Sequence, residues 1–200
     1  MKTLVKVTVA TLILGSLALE SCKKGEGDPA LSFRSRKARV AGEWKTTAGS
    51  GTSTAGSTTT TWTYDGANYT TTSGSNSVTV ARTMNYVFEK AGTYTFTQVT
   101  TSTGYSETIT QSGTWNFTGG VGEMKNKSQM VMTILSESTV TVIGSSTTTT
   151  TDTYTGSDAP SMIADIYQLK NKEMIFKYAG TATSGSSTSS DSGEWTMTQE

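Results

Sequence analysis

Cys22 is the only thiol in the chain and no histidine occurs anywhere in its 200 residues, so few side chains are equipped for chemistry. Without imidazole the chain lacks the usual general base, any His-assisted serine or cysteine nucleophile, and the commonest zinc ligand. Gly51-Thr52-Ser53-Thr54-Ala55 approximates a nucleophile elbow, but it stands in a Ser/Thr tract with nothing to activate Ser53. Glu43, Glu89, Glu107, Asp152, Asp165 and Glu194 would do acid/base work only if folding paired them. Most fall at expected turns or on a polar face, which reads as solvated surface. No Asp-Xaa-Asp or EF-hand spacing suggests calcium. Gly25-Glu26-Gly27-Asp28-Pro29-Ala30 matches a dinucleotide fingerprint but follows no strand and opens no helix. These residues predict no catalytic group, no metal and no cofactor, and therefore a protein that is not an enzyme.

Composition bounds the remaining classes. Sixteen basic residues balance sixteen acidic ones and the isoelectric point is near 6.3, so the chain lacks the positive field that nucleic-acid binding needs. Serine and threonine make up about a third of the residues while proline contributes only 2. A mucin-like stalk would be Pro-rich and aromatic-poor. Here the threonines alternate with Trp, Tyr, Phe, Met, Val and Ile, and threonine is a good strand former that serves well on the wet face of a sheet.

From Gly42 onward the hydrophobic pattern has period two, and no long stretch repeats at helical spacing. It predicts about ten strands, near 42–49, 56–65, 77–89, 93–101, 105–118, 128–136, 139–154, 161–170, 173–182 and 190–199. Glu89-Lys90-Ala91-Gly92, Ser102-Thr103-Gly104 and Lys170-Asn171-Lys172 are short hairpin turns between them. Alternate residues place Met84, Tyr86, Phe88, Tyr94, Phe96, Trp115, Phe117, Met130, Met132, Ile134, Met174, Phe176, Trp195 and Met197 on one face. The opposite face is largely Thr, Ser, Asn, Lys and Glu. A long meander buries such an apolar face most simply by curling into a barrel, which also removes both edges. The expected fold class is all-β, an antiparallel up-and-down barrel of about 8–10 strands. A two-sheet sandwich is the competing architecture.

The start of the chain carries a different signal. Lys2 and Lys6 precede an apolar run, Val7 to Leu19, that is too short to span a bilayer and stops at Leu19-Glu20-Ser21-Cys22. This segment resembles a bacterial lipoprotein signal. The resemblance implies that residues 1–21 are removed and that Cys22 becomes the lipidated N-terminus, carrying a diacylglycerol and an amide-linked acyl chain such as palmitate. Two or three acyl chains hold a protein on a bilayer, where one gives only marginal binding. Residues 22–38 then read as the lipidated cysteine and a flexible tether, with the basic run Arg34-Ser35-Arg36-Lys37-Ala38-Arg39 either solvated or resting on anionic head groups. Residues 39–200 form a single barrel domain. Lys23 and Lys24 lack the aspartate that retains some lipoproteins at the inner membrane, which favours an outer-membrane anchor facing the periplasm or the cell exterior.

Gly-Xaa-Trp occurs three times, as Gly42-Glu43-Trp44, Gly113-Thr114-Trp115 and Gly193-Glu194-Trp195. With the first and last strands paired, Trp44 and Trp195 are expected as neighbours plugging one end. Together with Gly-Thr-Tyr-Thr-Phe at 92–96 and the lipobox, the pattern is similar to the lipocalin-like lipoproteins of Gram-negative bacteria. That resemblance implies a barrel that binds a small hydrophobic ligand. The expected lumen residues are Tyr86, Phe88, Tyr94, Phe96, Trp115, Met132, Met174 and Phe176. The alternative is a structural or interaction lipoprotein whose core is filled. The expected partners are thus the membrane, through the acyl chains on Cys22, and a small apolar molecule.

Overall fold

The computed structural model describes residues 34–118, 129–184 and 187–200; Cys22, the signal segment and most of the tether lie outside them. One short helix, α1 (Arg36–Val40), precedes eleven strands. These are β1 (Gly42–Ala55), β2 (Thr58–Tyr64), β3 (Asn68–Ser73), β4 (Asn76–Phe88), β5 (Thr93–Ser102) and β6 (Tyr105–Thr118). They continue as β7 (Gln129–Ile143), β8 (Ser146–Thr153), β9 (Ser161–Leu169), β10 (Glu173–Ser184) and β11 (Ser187–Gln199).

Ten strands close a ring in the order β1-β2-β3-β4-β5-β6-β7-β9-β10-β11, and β8 pairs with β7 as an eleventh. Each pairing is antiparallel, so the expected up-and-down barrel is the fold. The ring narrows to eight strands at one end, because residues 42–45 of β1 pair directly with residues 85–88 of β4 and β2 and β3 intervene only further along. β8 and β9 run in the same direction along β7, opposite residues 136–143 and 129–133 respectively. They are one strand position interrupted by a single-turn 3-10 helix at Gly156–Asp158. That interruption preserves the even parity that lets β1 pair antiparallel with β11 although eleven strands are present.

The sequence pattern finds the hairpins better than the breaks. The turns at 89–92, 102–104 and 170–172 close as expected. β3 was not anticipated, since Asn68-Tyr69-Thr70-Thr71-Thr72-Ser73 offers one aromatic and no apolar alternation. Nor does the chain break between 136 and 139: β7 runs through to Ile143 with a bulge opposite Ser112 and Gly113, and the turn comes at Gly144, whose φ of 58° suits a residue without a Cβ.

The eight-strand end holds the core. Trp44, Phe88, Tyr94, Trp115, Met130, Met132, Ala164, Ile166, Leu169, Met174, Phe176 and Met197 are buried there, and Phe88 meets Trp115 edge-on at 5.7 Å. α1 caps this end. Ser35 caps the helix by accepting from the Ala38 amide, and the good helix formers Arg36, Lys37, Ala38 and Arg39 follow. Arg36 donates to the Ile166 carbonyl at 3.2 Å, Arg39 to that of Leu169, and the Trp44 indole donates back to the Val40 carbonyl at 2.7 Å. The basic run is therefore partly folded into the barrel, with Arg36 and Arg39 buried. At this end an apolar interior stands behind a threonine-rich exterior, the reverse of the polarity of a barrel that crosses a membrane with its strands.

Candidate functional site

Followed away from α1, the same inward face changes character. Register carries it from Trp44 and Thr46, across a bulge at Thr47, to Gly49, Gly51 and Ser53 on β1, and from Met197 to Trp195, Gly193 and Asp191 on β11. The two glycines opposite each other, Gly51 and Gly193, make room for Trp62: a Cβ on either would stand 2.4 Å from its indole ring. Trp62 stacks on Trp195 at 4.4 Å and on Tyr69 at 5.8 Å. Tyr69 in turn carries the Arg82 guanidinium over its ring at 4.0 Å, and Arg82 Nε donates to Thr100 Oγ1 at 3.2 Å. This belt of aromatic rings marks the boundary between the packed core and the wider end.

Beyond the belt the inward positions are mainly polar. Tyr105 donates to Glu107 at 2.9 Å and Gln111 Nε2 to Glu137 Oε2 at 2.6 Å, while Asp152 stands directly across from Glu137 in the β7–β8 register. On the far side of the barrel a cleft of about 410 Å³ opens where β9 and β10 part company. Their pairing ends at Asp165 and Lys177, whereas β10 continues to Ser184 along β11 alone. Ser161, Met162 and Ile163 form one wall of the cleft, Tyr178, Ala179 and Gly180 the other, and Asp191 lies at its inner side. Burial, then the charge of Asp191 and a hydrogen bond to it, hold the Tyr178 phenol far above its ordinary range. A phenol so held is a hydrogen-bonding group at neutral pH and not a base.

The sequence-predicted residues are placed as follows. Tyr86, Phe88, Tyr94, Phe96, Trp115, Met132, Met174 and Phe176 all share the inward face, at the eight-strand end, in mutual contact within the core cluster. Tyr86 lies on Phe88 at 5.5 Å and on Phe96 at 4.6 Å. Burial raises the phenol pKa of Tyr86 strongly and that of Tyr94 to about 12. Cys22 lies outside the described residues. Trp44 and Trp195 are not neighbours: Trp44 faces Gln199 and Trp195 faces Gly49, because the strands overlap by more residues than a pairing of their starts implies. Of the carboxylates Asp152 stands across from another, Glu137, which accepts from Gln111; the rest are dispersed, with Glu194 bridged to Lys177 at 3.1 Å, Asp165 accepting from Gln129 at 2.9 Å and Glu107 from Tyr105. Among the described residues no group of three or more acidic, histidine or cysteine side chains is arranged to hold a metal. Met162, Tyr178, Gly180 and Asp191 were not singled out from sequence. Only the point at which β9 leaves β10 brings them together, and the sequence gives no sign of it.

The class these features define is a closed antiparallel up-and-down barrel, compatible with lipocalin-like architecture, packed at one end and polar at the other. No protein-family model matches the chain, and no curated protein or solved structure matches it either.

Proposed function

We propose that the chain is a lipid-anchored envelope protein without enzymatic activity, and that it engages its partner through the wide end of the barrel. The observation that carries this reading is the split interior. The eight-strand end is occupied by its own aromatic and methionine side chains, while the wide end leaves polar inward positions and a cleft open. The described chain begins beside α1, at the packed end; Arg34 precedes the helix, Lys37 lies in it, and Lys90, Lys170 and Lys172 lie in the turns around it, with Lys170 paired to Glu173 at 3.1 Å. Thirteen peptide units separate Cys22 from Ser35, a reach of at most about 45 Å. An outer-membrane anchor on Cys22 attaches at the packed end, and the basic residues there favour that end facing anionic head groups, with the wide end toward the periplasm or the exterior.

Site-directed photo-crosslinking in intact cells tests this reading, with the photoreactive residue placed at exposed Thr149 on β8 or at exposed Lys90 in the β4–β5 turn. A discrete adduct from position 149 supports it; adducts from position 90 alone overturn it. Metabolic labelling with palmitate, abolished by Cys22→Ser, tests the anchor separately.

The cleft itself favours a second reading. Its volume lies in the range of small-ligand sites, and Met162, Ile163 and Ala179 give it apolar walls. Native mass spectrometry of the protein, seeking bound mass of a few hundred daltons that vanishes on denaturation, tests for a small apolar ligand.

A further inference from the structure

The interrupted strand position leaves the barrel with a slit. Around most of its circumference each strand is paired on both sides, but no pairing joins β8 to β10 among the described residues. β8 is bonded to β7 alone, and β10 beyond Lys177 to β11 alone, so two strand edges face the same gap above β9. Edges of this kind are normally blunted by lysine, proline or a bulge. Ser146-Thr147-Thr148-Thr149-Thr150-Thr151-Asp152-Thr153 and Tyr178-Ala179-Gly180-Thr181 contain no lysine and no proline, and neither the β7–β8 nor the β10–β11 register shifts.

The surroundings of the slit are acidic. Asp152 lies on β8, Asp158 in the turn that follows and Asp191 on the inward face beside β10. Lys177, at its root, is engaged by Glu194 at 3.1 Å and rests over the Tyr167 ring at 4.1 Å, and Arg82 is held over Tyr69. At the root the cleft offers the stem-and-head geometry that suits a long cation. Met162 and Ile163 can take an aliphatic stem, Asp191 and the Tyr178 hydroxyl the charged head. Gly180 adds open space, since a Cβ built on it meets nothing within 4 Å.

We propose that this slit is a strand-addition site: an extended segment of a partner protein inserts between β8 and β10, its backbone pairing with the open edges and an arginine or lysine anchoring in the cleft. Main-chain hydrogen bonds supply affinity in such complexes and the side-chain pocket supplies selectivity. The proposal rests on the wide-end reading above and specifies its partner's chemistry.

Fluorescent decapeptides of alternating valine and threonine, with arginine at two central positions, test it against the protein as the cell makes it. Companion probes carry glutamate in place of arginine, or N-methylated alternate amides. The expected results are saturable binding of the arginine probe, at least tenfold weaker binding of both companions, and amide-exchange protection in β8 and β10. Gly180→Leu, whose Cβ meets nothing within 4 Å and whose longer side chain occupies the cleft, is expected to abolish binding with unchanged circular dichroism, and Asp191→Lys to reverse the preference between arginine and glutamate. Equal binding of the N-methylated probe overturns the proposal by showing that the peptide is held without strand pairing, and binding unaffected by Gly180→Leu overturns it by showing that the cleft does not hold the anchor. A stable dimer that protects β8 against exchange overturns it in favour of a second copy of this chain. If position 149 crosslinks in cells but the arginine probe does not bind, strand addition is overturned while the wide-end reading stands; if neither occurs, both fall.

Discussion

β7 compares the two ends of the barrel within one strand. Met130 and Met132, at its start, are buried in the core; Thr139 and Thr141, on the same inward face a few residues on, are only half-buried and stand between Ile109 and Glu107 on β6 and Thr150 and Thr148 on β8. Pairing with β6 runs through both with one bulge at Leu135, where β7 also exchanges β9 for β8 as its other neighbour, so the two ends differ in strand arrangement as well as in side chains. Stability is concentrated where eight strands bring large side chains into contact, and the added hairpin of β2 and β3 widens the other end beyond what its threonines can fill. The packed end makes the fold, and the wide end is released from that task.

The comparison is broken most directly by emptying the packed end. Trp115→Ala removes a buried indole that meets Phe88 and Phe117 edge-on and donates to the Glu89 carbonyl at 3.0 Å, and is expected to cost about 3–5 kcal/mol in urea denaturation. Gly193→Val, at the aromatic belt, drives a side chain into the Trp62 ring. A loss of about 1–3 kcal/mol should accompany it, with a change in tryptophan emission. At alkaline pH the packed end should lose stability, as should the cleft through the raised phenol of Tyr178. Burial raises the folded pKa of Tyr86 and Tyr94, the latter to about 12, above the ordinary value of 10.0. The native state then holds protons that the unfolded state releases, so this stability is full below pH 10 and is lost as pH rises toward 12. The double variant Tyr86→Phe, Tyr94→Phe should flatten that alkaline limb in thermal melts across the pH range. Thr139→Ala, at the wide end, should change stability by no more than about 0.5 kcal/mol. A loss comparable to that of Trp115→Ala would erase the contrast.

Much of this architecture was legible because period-two alternation survives in residues large enough to show it. From Met84 to Phe96 and from Met174 to Met197 the apolar side chains mark inward positions, and every one named from sequence lies on the inward face. Where the inward residue is itself threonine, alternation vanishes. Thr71 and Ser73 face inward on β3 and Thr139, Thr141, Thr148 and Thr150 on β7 and β8, and it is in these segments that β3 was missed and a break misplaced. The bulges at Thr47 and Leu135 each shift the phase by one residue, which periodicity alone does not register. α1 was hidden for another reason: five residues with two buried arginines read as a solvated basic run until the carbonyls of Ile166 and Leu169 are in place to receive them. The seam was beyond reach altogether, since it depends on which of two strands β10 abandons.

The four tryptophans divide along the same line. Trp44 and Trp115 lie inside the packed end, each bonded to a backbone carbonyl, whereas Trp62 and Trp195 lie ring on ring at 4.4 Å in the belt. Two indoles that close share their excited states, so the belt carries a chromophore of its own. Its dichroic signal reports whether β2 and β11 keep their places across β1 while the single indoles report on the core.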